Sequence, residues 1–134
     1  MAAVLVDSNV LLDVFTEDAT WFDWSSMALR GAIEGPGIAV NPIIYAEISV
    51  RFAAIEELED ALRPAGPERL ALPWEAAFLA GQCFLKYRRR GGGRRSPLPD
   101  FYIGAHAAVA GMTLLTRDPK RYAAYFPKLR LNAP

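Results

Sequence analysis

Cysteine and histidine are nearly missing from this chain, with one of each in 134 residues. A single cysteine, Cys83, cannot close an internal disulfide, and a single histidine, His106, cannot complete a structural zinc set with it. Cys83 lies in the apolar stretch Ala80-Gly81-Gln82-Cys83-Phe84-Leu85 and reads as a small core residue. Long hydrophobic runs are also lacking. The longest segment without a formal charge, Phe101 to Thr116, contains Gly104, His106 and Gly111. It is shorter than the roughly 20 residues a membrane span needs. No basic region precedes the short apolar start, so no signal peptide is expected, and a cytoplasmic location is the natural expectation.

What is present suits one globular domain with a real core: 52% of residues are apolar and 22% are charged. The net charge of zero hides a polarity. Residues 1–85 hold thirteen acids against four bases, and residues 86–134 hold eleven bases against two acids. Such asymmetry hints at an anionic partner. The two acids of the basic half are Asp100 and Asp118.

Strand and helix patterns alternate along the chain. Ala3–Val6 reads as a strand buried on both faces, and Asp7-Ser8-Asn9 offers cap chemistry to a helix over Val10–Phe15. Thr20 is a candidate cap for a helix over Trp21–Glu34, followed by a strand at Ile38–Val40. Pro42 suits a first helical position, so a helix through Phe52 is predicted. Another helix spans Ile55–Arg63, Arg69–Leu72 is a weak strand, and a long helix runs from Pro73-Trp74 to about Arg88. Arg88 to Pro97 reads as a loop, before a helix over Asp100–Ala110 and a strand over Thr113–Leu115. A helix after Pro119 and a strand over Leu129–Leu131 close the chain. This order predicts an α/β domain, a central parallel sheet with helices on both faces.

In such a sheet, ligands bind beyond the carboxyl ends of the strands, where strand order reverses. Asp7 closes the first strand, Asp118 follows the strand ending at Thr116, and Glu47 and Asp100 fall in opening turns of helices. All four are predicted at one edge. Each alone has a structural reading, as an N-cap, a partner of a helix dipole or a solvated residue; their joint placement favours a site. Two unit charges 4 Å apart repel by about 4 kcal/mol at an effective dielectric near 20, so a cation is expected among them. Oxygen ligands without histidine or cysteine select Mg²⁺ or Mn²⁺. Such ions can activate water, orient a phosphate and stabilise a leaving oxygen.

The chain resembles the PIN-domain ribonucleases, and within them the VapC-type toxins of bacterial type II toxin–antitoxin systems. The resemblance rests on four segments taken in order. They are Val6-Asp7-Ser8-Asn9-Val10-Leu11-Leu12-Asp13, Asn41-Pro42-Ile43-Ile44-Tyr45-Ala46-Glu47, Leu98-Pro99-Asp100-Phe101-Tyr102-Ile103-Gly104-Ala105-His106-Ala107 and Leu114-Leu115-Thr116-Arg117-Asp118. The closing Tyr122-Ala123-Ala124-Tyr125-Phe126-Pro127 is similar too. It implies a PIN-like domain over residues 1–134 and a metal-dependent endoribonuclease. Asp7, Glu47, Asp100 and Asp118 would be catalytic and metal-binding, with Asn9 and Thr116 supporting the site. Hydrolysis would leave a 5′-phosphate and a 3′-hydroxyl. A cognate antitoxin and a second copy of the chain are the implied partners.

Asp13 is expected to be carried away from the site by the first helix. His106 is expected to pack rather than catalyse, and with no second histidine a metal-free acid–base ribonuclease is poorly supported. Arg88, Arg89, Arg90, Arg94 and Arg95 flank three glycines just ahead of Asp100, and Arg117 adjoins Asp118. They are either a solvated loop or a grip on the RNA backbone, and their position favours the grip. The Trp21-Phe22-Asp23-Trp24 cluster is mostly core, with some surface left for a partner. Two rivals use the same fold, a structure-specific DNA nuclease and a housekeeping RNA-processing enzyme. A Mg²⁺-binding signalling domain would need a phosphorylatable Asp that Arg69 to Trp74 does not offer, and a metal-binding fold kept only as an interaction module would be separated from an enzyme by a cleavage assay.

Overall fold

A computed structural model describes residues 2–92 and 97–134. Five strands make one sheet: β1 (Val4–Val6), β2 (Ile38–Val40), β3 (Glu68–Arg69), β4 (Leu114–Leu115) and β5 (Leu131–Asn132). Their order is β3-β2-β1-β4-β5, and every neighbouring pair is parallel. β1 is central, as its uninterrupted apolar sequence requires: all three of its residues are buried. The chain leaves β1 for β2 on one side and reaches β4 on the other. The strand order therefore reverses between β1 and β4, just beyond Asp7 and Thr116.

The helices are α1 (Ser8–Phe15), α2 (Phe22–Glu34), α3 (Pro42–Ser49), α4 (Ile55–Leu62), α5 (Trp74–Arg89), α6 (Leu98–Ala110) and α7 (Lys120–Tyr125). Several differ from the sequence expectation for physical reasons. Asp18 Oδ2, not Thr20, accepts from the amides of Thr20 and Trp21 at the entry to α2, at 3.0 and 2.8 Å. α3 stops at Ser49, whose hydroxyl bonds back to the Tyr45 carbonyl. β5 lies two residues later than predicted, because Leu131 is the residue that registers with Leu114. Arg88 and Arg89 are the last residues of α5 rather than part of a loop, and Arg90 caps it. Arginines there complement the negative end of the helix. Arg94 and Arg95 lie outside the described residues.

Two local features fix where α6 and α7 stand. Gly111 ends α6 with φ 67°, a left-handed cap that costs glycine nothing. Gly104, in the middle of α6, has the rings of Phe126 and Tyr122 where a Cβ would stand. The missing side chain lets α7 lie close to α6. No helix among the described residues is long and apolar enough to cross a membrane.

Candidate functional site

Asp7 occupies the N-cap position of α1, yet its side chain makes no capping bond. Its Oδ2 instead accepts from Thr116 Oγ1 and Tyr122 Oη, both at 2.8 Å, and from Asn9 Nδ2 at 3.3 Å. Its Oδ1 has one long contact, Ser8 Oγ at 3.5 Å. Three donors thus hold one oxygen, and the other is held more loosely. Asp7 is only 3% exposed. Burial pushes its carboxyl above the usual range, against the bonds from Thr116 and Tyr122, and the charge of Asp100 pushes the same way.

Glu47 stands on α3, where its Oε1 accepts from Ser8 Oγ at 2.8 Å. Burial first, then the charges of Asp7 and Asp100, raise its pKa. Asp100, in the first turn of α6, pairs through Oδ2 with Arg121 Nη1 at 2.6 Å. The Tyr122 phenol is driven far above its ordinary value by burial and by Asp7 and Asp100. It stays protonated and donates to Asp7. Asp7, Glu47 and Asp100 therefore act on one another, and the structure brings these three together. Asp118 stands at the rim, exposed, with its backbone amide 3.1 Å from Thr116 Oγ1.

Thr116 and Asn9 sit between the strands' ends. Besides its bond to Asp7, Asn9 Nδ2 reaches Thr116 Oγ1 at 3.3 Å, and its Oδ1 accepts from the Arg117 amide at 3.3 Å. His106 is buried, and its Nδ1 lies 2.9 Å from Asn41 Nδ2. The Asn41 amide nitrogen can only donate, which assigns the remaining ring proton to Nε2. Asn41 Oδ1 caps α3 through the Ile44 amide at 2.9 Å, so His106 orients the cap of the helix that carries Glu47. Burial lowers its pKa and keeps it neutral.

The donor chemistry can be tested against a divalent cation. Carboxylate oxygens of Asp7, Glu47 and Asp100, mutually repelling and partly desolvated, fit a hard ion that keeps some of its waters. Among the described residues, though, no three His, Cys, Asp or Glu side chains already form a metal site. Arg121 holds Asp100 through Oδ2, and Ser8 holds Glu47 through Oε1. A cavity of about 720 Å³ lies on the β2–β3 flank, and none of the four acids lines it.

The model of the PIN domain family matches residues 4–127. The chain belongs to the PIN-domain family. This PIN domain is similar in structure to VapBC2 from Rickettsia felis bound to a DNA fragment from their promoter. That match has 18% identity, 98% coverage of each chain and a TM-score of 0.73. A toxin–antitoxin complex from Klebsiella pneumoniae matches at 24% identity, with 90% of each chain covered and a TM-score of 0.66. DNA-bound VapBC from Salmonella typhimurium matches at 17% identity, covering 99% of this chain and 98% of that one, with a TM-score of 0.65. At these identities the likeness is one of fold. Comparison with curated proteins finds no match.

Two residues of this PIN domain's site escape sequence reasoning, Ser8 and Tyr122. Ser8 adjoins Asp7, but only the fold brings Glu47 to it. Tyr122 lies in the closing aromatic segment, where nothing local distinguishes it from Tyr125. Arg117 is anchored on its inner side: its Nε pairs with Asp13 Oδ2 at 2.8 Å and its guanidinium lies over the Trp21 ring at 5.6 Å, while 31% of the side chain stays exposed. Asp13 is buried, and Ser25 Oγ also donates to it at 2.7 Å. The aromatics of α2 are half-buried, and the most exposed aromatic surface is instead Trp74 (88%) and Phe78 (70%) on α5.

Proposed function

We propose that this PIN domain is a Mg²⁺- or Mn²⁺-dependent endoribonuclease, the VapC-type toxin of a toxin–antitoxin pair. One observation carries the reading. Asp7, Glu47 and Asp100 come from three separate elements to one sheet edge, and their charges oppose one another there. Asp7, Glu47, Asp100 and Asp118 would hold the ion. When bound, it supplies charge at a phosphate and makes a coordinated water more acidic.

The chain's own residues do the rest. Thr116, Tyr122 and Asn9 fix Asp7 through its Oδ2. Tyr122, held protonated, cannot take a proton from water and serves only as donor. Ser8 ties Glu47 to the first turn of α1. Arg121, freed from Asp100, would meet the phosphate's charge. Arg88, Arg89 and Arg90, at the end of α5, adjoin this edge, because Tyr87 packs on Phe101 with ring centroids 5.9 Å apart. They would track the RNA backbone, with Arg94 and Arg95 beyond them. An antitoxin and a second copy of the chain are the proposed protein partners, and Trp74 with Phe78 offers an apolar face for such a contact.

Asp100→Asn is the direct test. The variant should remain folded and lose Mg²⁺-dependent cleavage of RNA in a discontinuous gel assay. Cleavage at the unmodified rate, with contaminating nuclease excluded, would overturn the assignment.

A further inference from the structure

Asp13 and Arg117 form an ion pair, buried at its acidic end, that none of the chemistry above uses. Asp13 has a side chain 4% exposed against 31% for Arg117, and Asp13 Oδ2 takes both the Arg117 Nε bond at 2.8 Å and the Ser25 bond at 2.7 Å. Desolvating the carboxylate offsets much of what the pair gains, so its value is sought in geometry. Asn9 and Asp13 are four residues apart on α1 and share a face. Asn9 Oδ1 takes the Arg117 backbone amide, and Asp13 takes the Arg117 side chain. One helix face therefore grips one residue at two points. Trp21 closes over the guanidinium from α2's side. Arg117 is flanked by Thr116, which donates to Asp7, and by Asp118, whose amide donates to Thr116 Oγ1.

We propose that Asp13 and Arg117 are positioning residues, a clamp that fixes residues 116–118 on α1 and so sets where Asn9, Thr116 and Asp118 stand around Asp7. The clamp itself stands on the geometry alone. Its consequence for metal binding rests on the function proposed above.

Three measurements on the full chain test this. In Asp13→Asn, the amides of Arg117 and Asp118 should exchange with solvent at least about tenfold faster, against unchanged exchange in the core strands. Mn²⁺ affinity, read by calorimetry without RNA, should fall by about tenfold, as for other residues that orient metal ligands. In Arg117→Gln, made on the cleavage-dead Asp100→Asn background, RNA affinity should keep its salt dependence. A slope shallower by about 0.7 would mean that Arg117 grips a phosphate and would overturn the clamp. Unchanged exchange at 117 and 118 would overturn it equally. Exchange that quickens while Mn²⁺ affinity holds would confine the clamp to structure and refute its link to the site. Should Asp13→Asn fail to fold, the neutral pair Asp13→Asn with Arg117→Gln leaves no charge buried and serves for the same measurements. If the unmodified protein binds no Mn²⁺ and cleaves no RNA, the proposed function fails, and amide exchange alone decides the clamp.

Discussion

Asp100 has two rivals for its charge. Arg121 holds its Oδ2 at 2.6 Å, with both side chains partly exposed, and a divalent cation would compete for the same negative charge. An exposed ion pair contributes only about 0.2–1 kcal/mol, so displacing Arg121 is not difficult. Arg121→Gln should therefore raise Mn²⁺ affinity a few-fold in calorimetry while barely changing stability in urea. The same variant should bind RNA less tightly, if the freed guanidinium meets phosphate. Affinity for Mn²⁺ unchanged or lowered would show that Arg121 does not compete. At this scale the sequence is legible where chemistry is local. Asp7 follows its own strand, and Asp100 opens its own helix. At Arg117 a sequence shows the charge but not the buried Asp13 that it pairs with. Tyr122 escapes notice because its partner, Asp7, lies 115 residues away.

At the scale of elements, the alternation of strands and helices is plain because each apolar run is short and bounded by Gly, Pro or a cap. Boundaries drift where tertiary contacts decide them, as at β5, whose register is set by Leu114. The packing of α7 on α6 cannot be read at all, since it depends on an absent side chain. Gly104 admits the rings of Phe126 and Tyr122, and Tyr122 then reaches Asp7. Gly104→Ala should cost about 1–3 kcal/mol through overpacking, despite alanine's better helix propensity. Urea denaturation checks the sign. A gain in stability would show that α7 yields freely and that the close approach is not needed.

At the scale of the whole molecule, the segregation of charge acquires a location. Most acids precede residue 86, and the bases that follow include Arg88, Arg89 and Arg90 at the end of α5. Arg90 lies over Tyr125 at 5.2 Å and Arg88 over Phe84 at 5.9 Å, so both stems rest on aromatic surface rather than on carboxylates. Phe101, whose neighbour is Asp100, packs on the same Tyr125 at 4.9 Å. The basic end of α5 and the acidic cleft thus adjoin one another. A flexible strand could lie along the first and present one phosphate to the second. Replacing Arg88, Arg89, Arg90, Arg94 and Arg95 with serine removes five charges and none of the proposed ligands. In an Asp7→Asn background, RNA affinity should fall, and its log–log slope against salt should become shallower by about 0.7 for each phosphate no longer neutralised. Mn²⁺ affinity, measured with Asp7 intact, should change far less, and sequence preference should persist if only backbone is gripped. An unchanged slope would place these arginines outside the RNA path and leave them as cations that complement the C-terminus of α5.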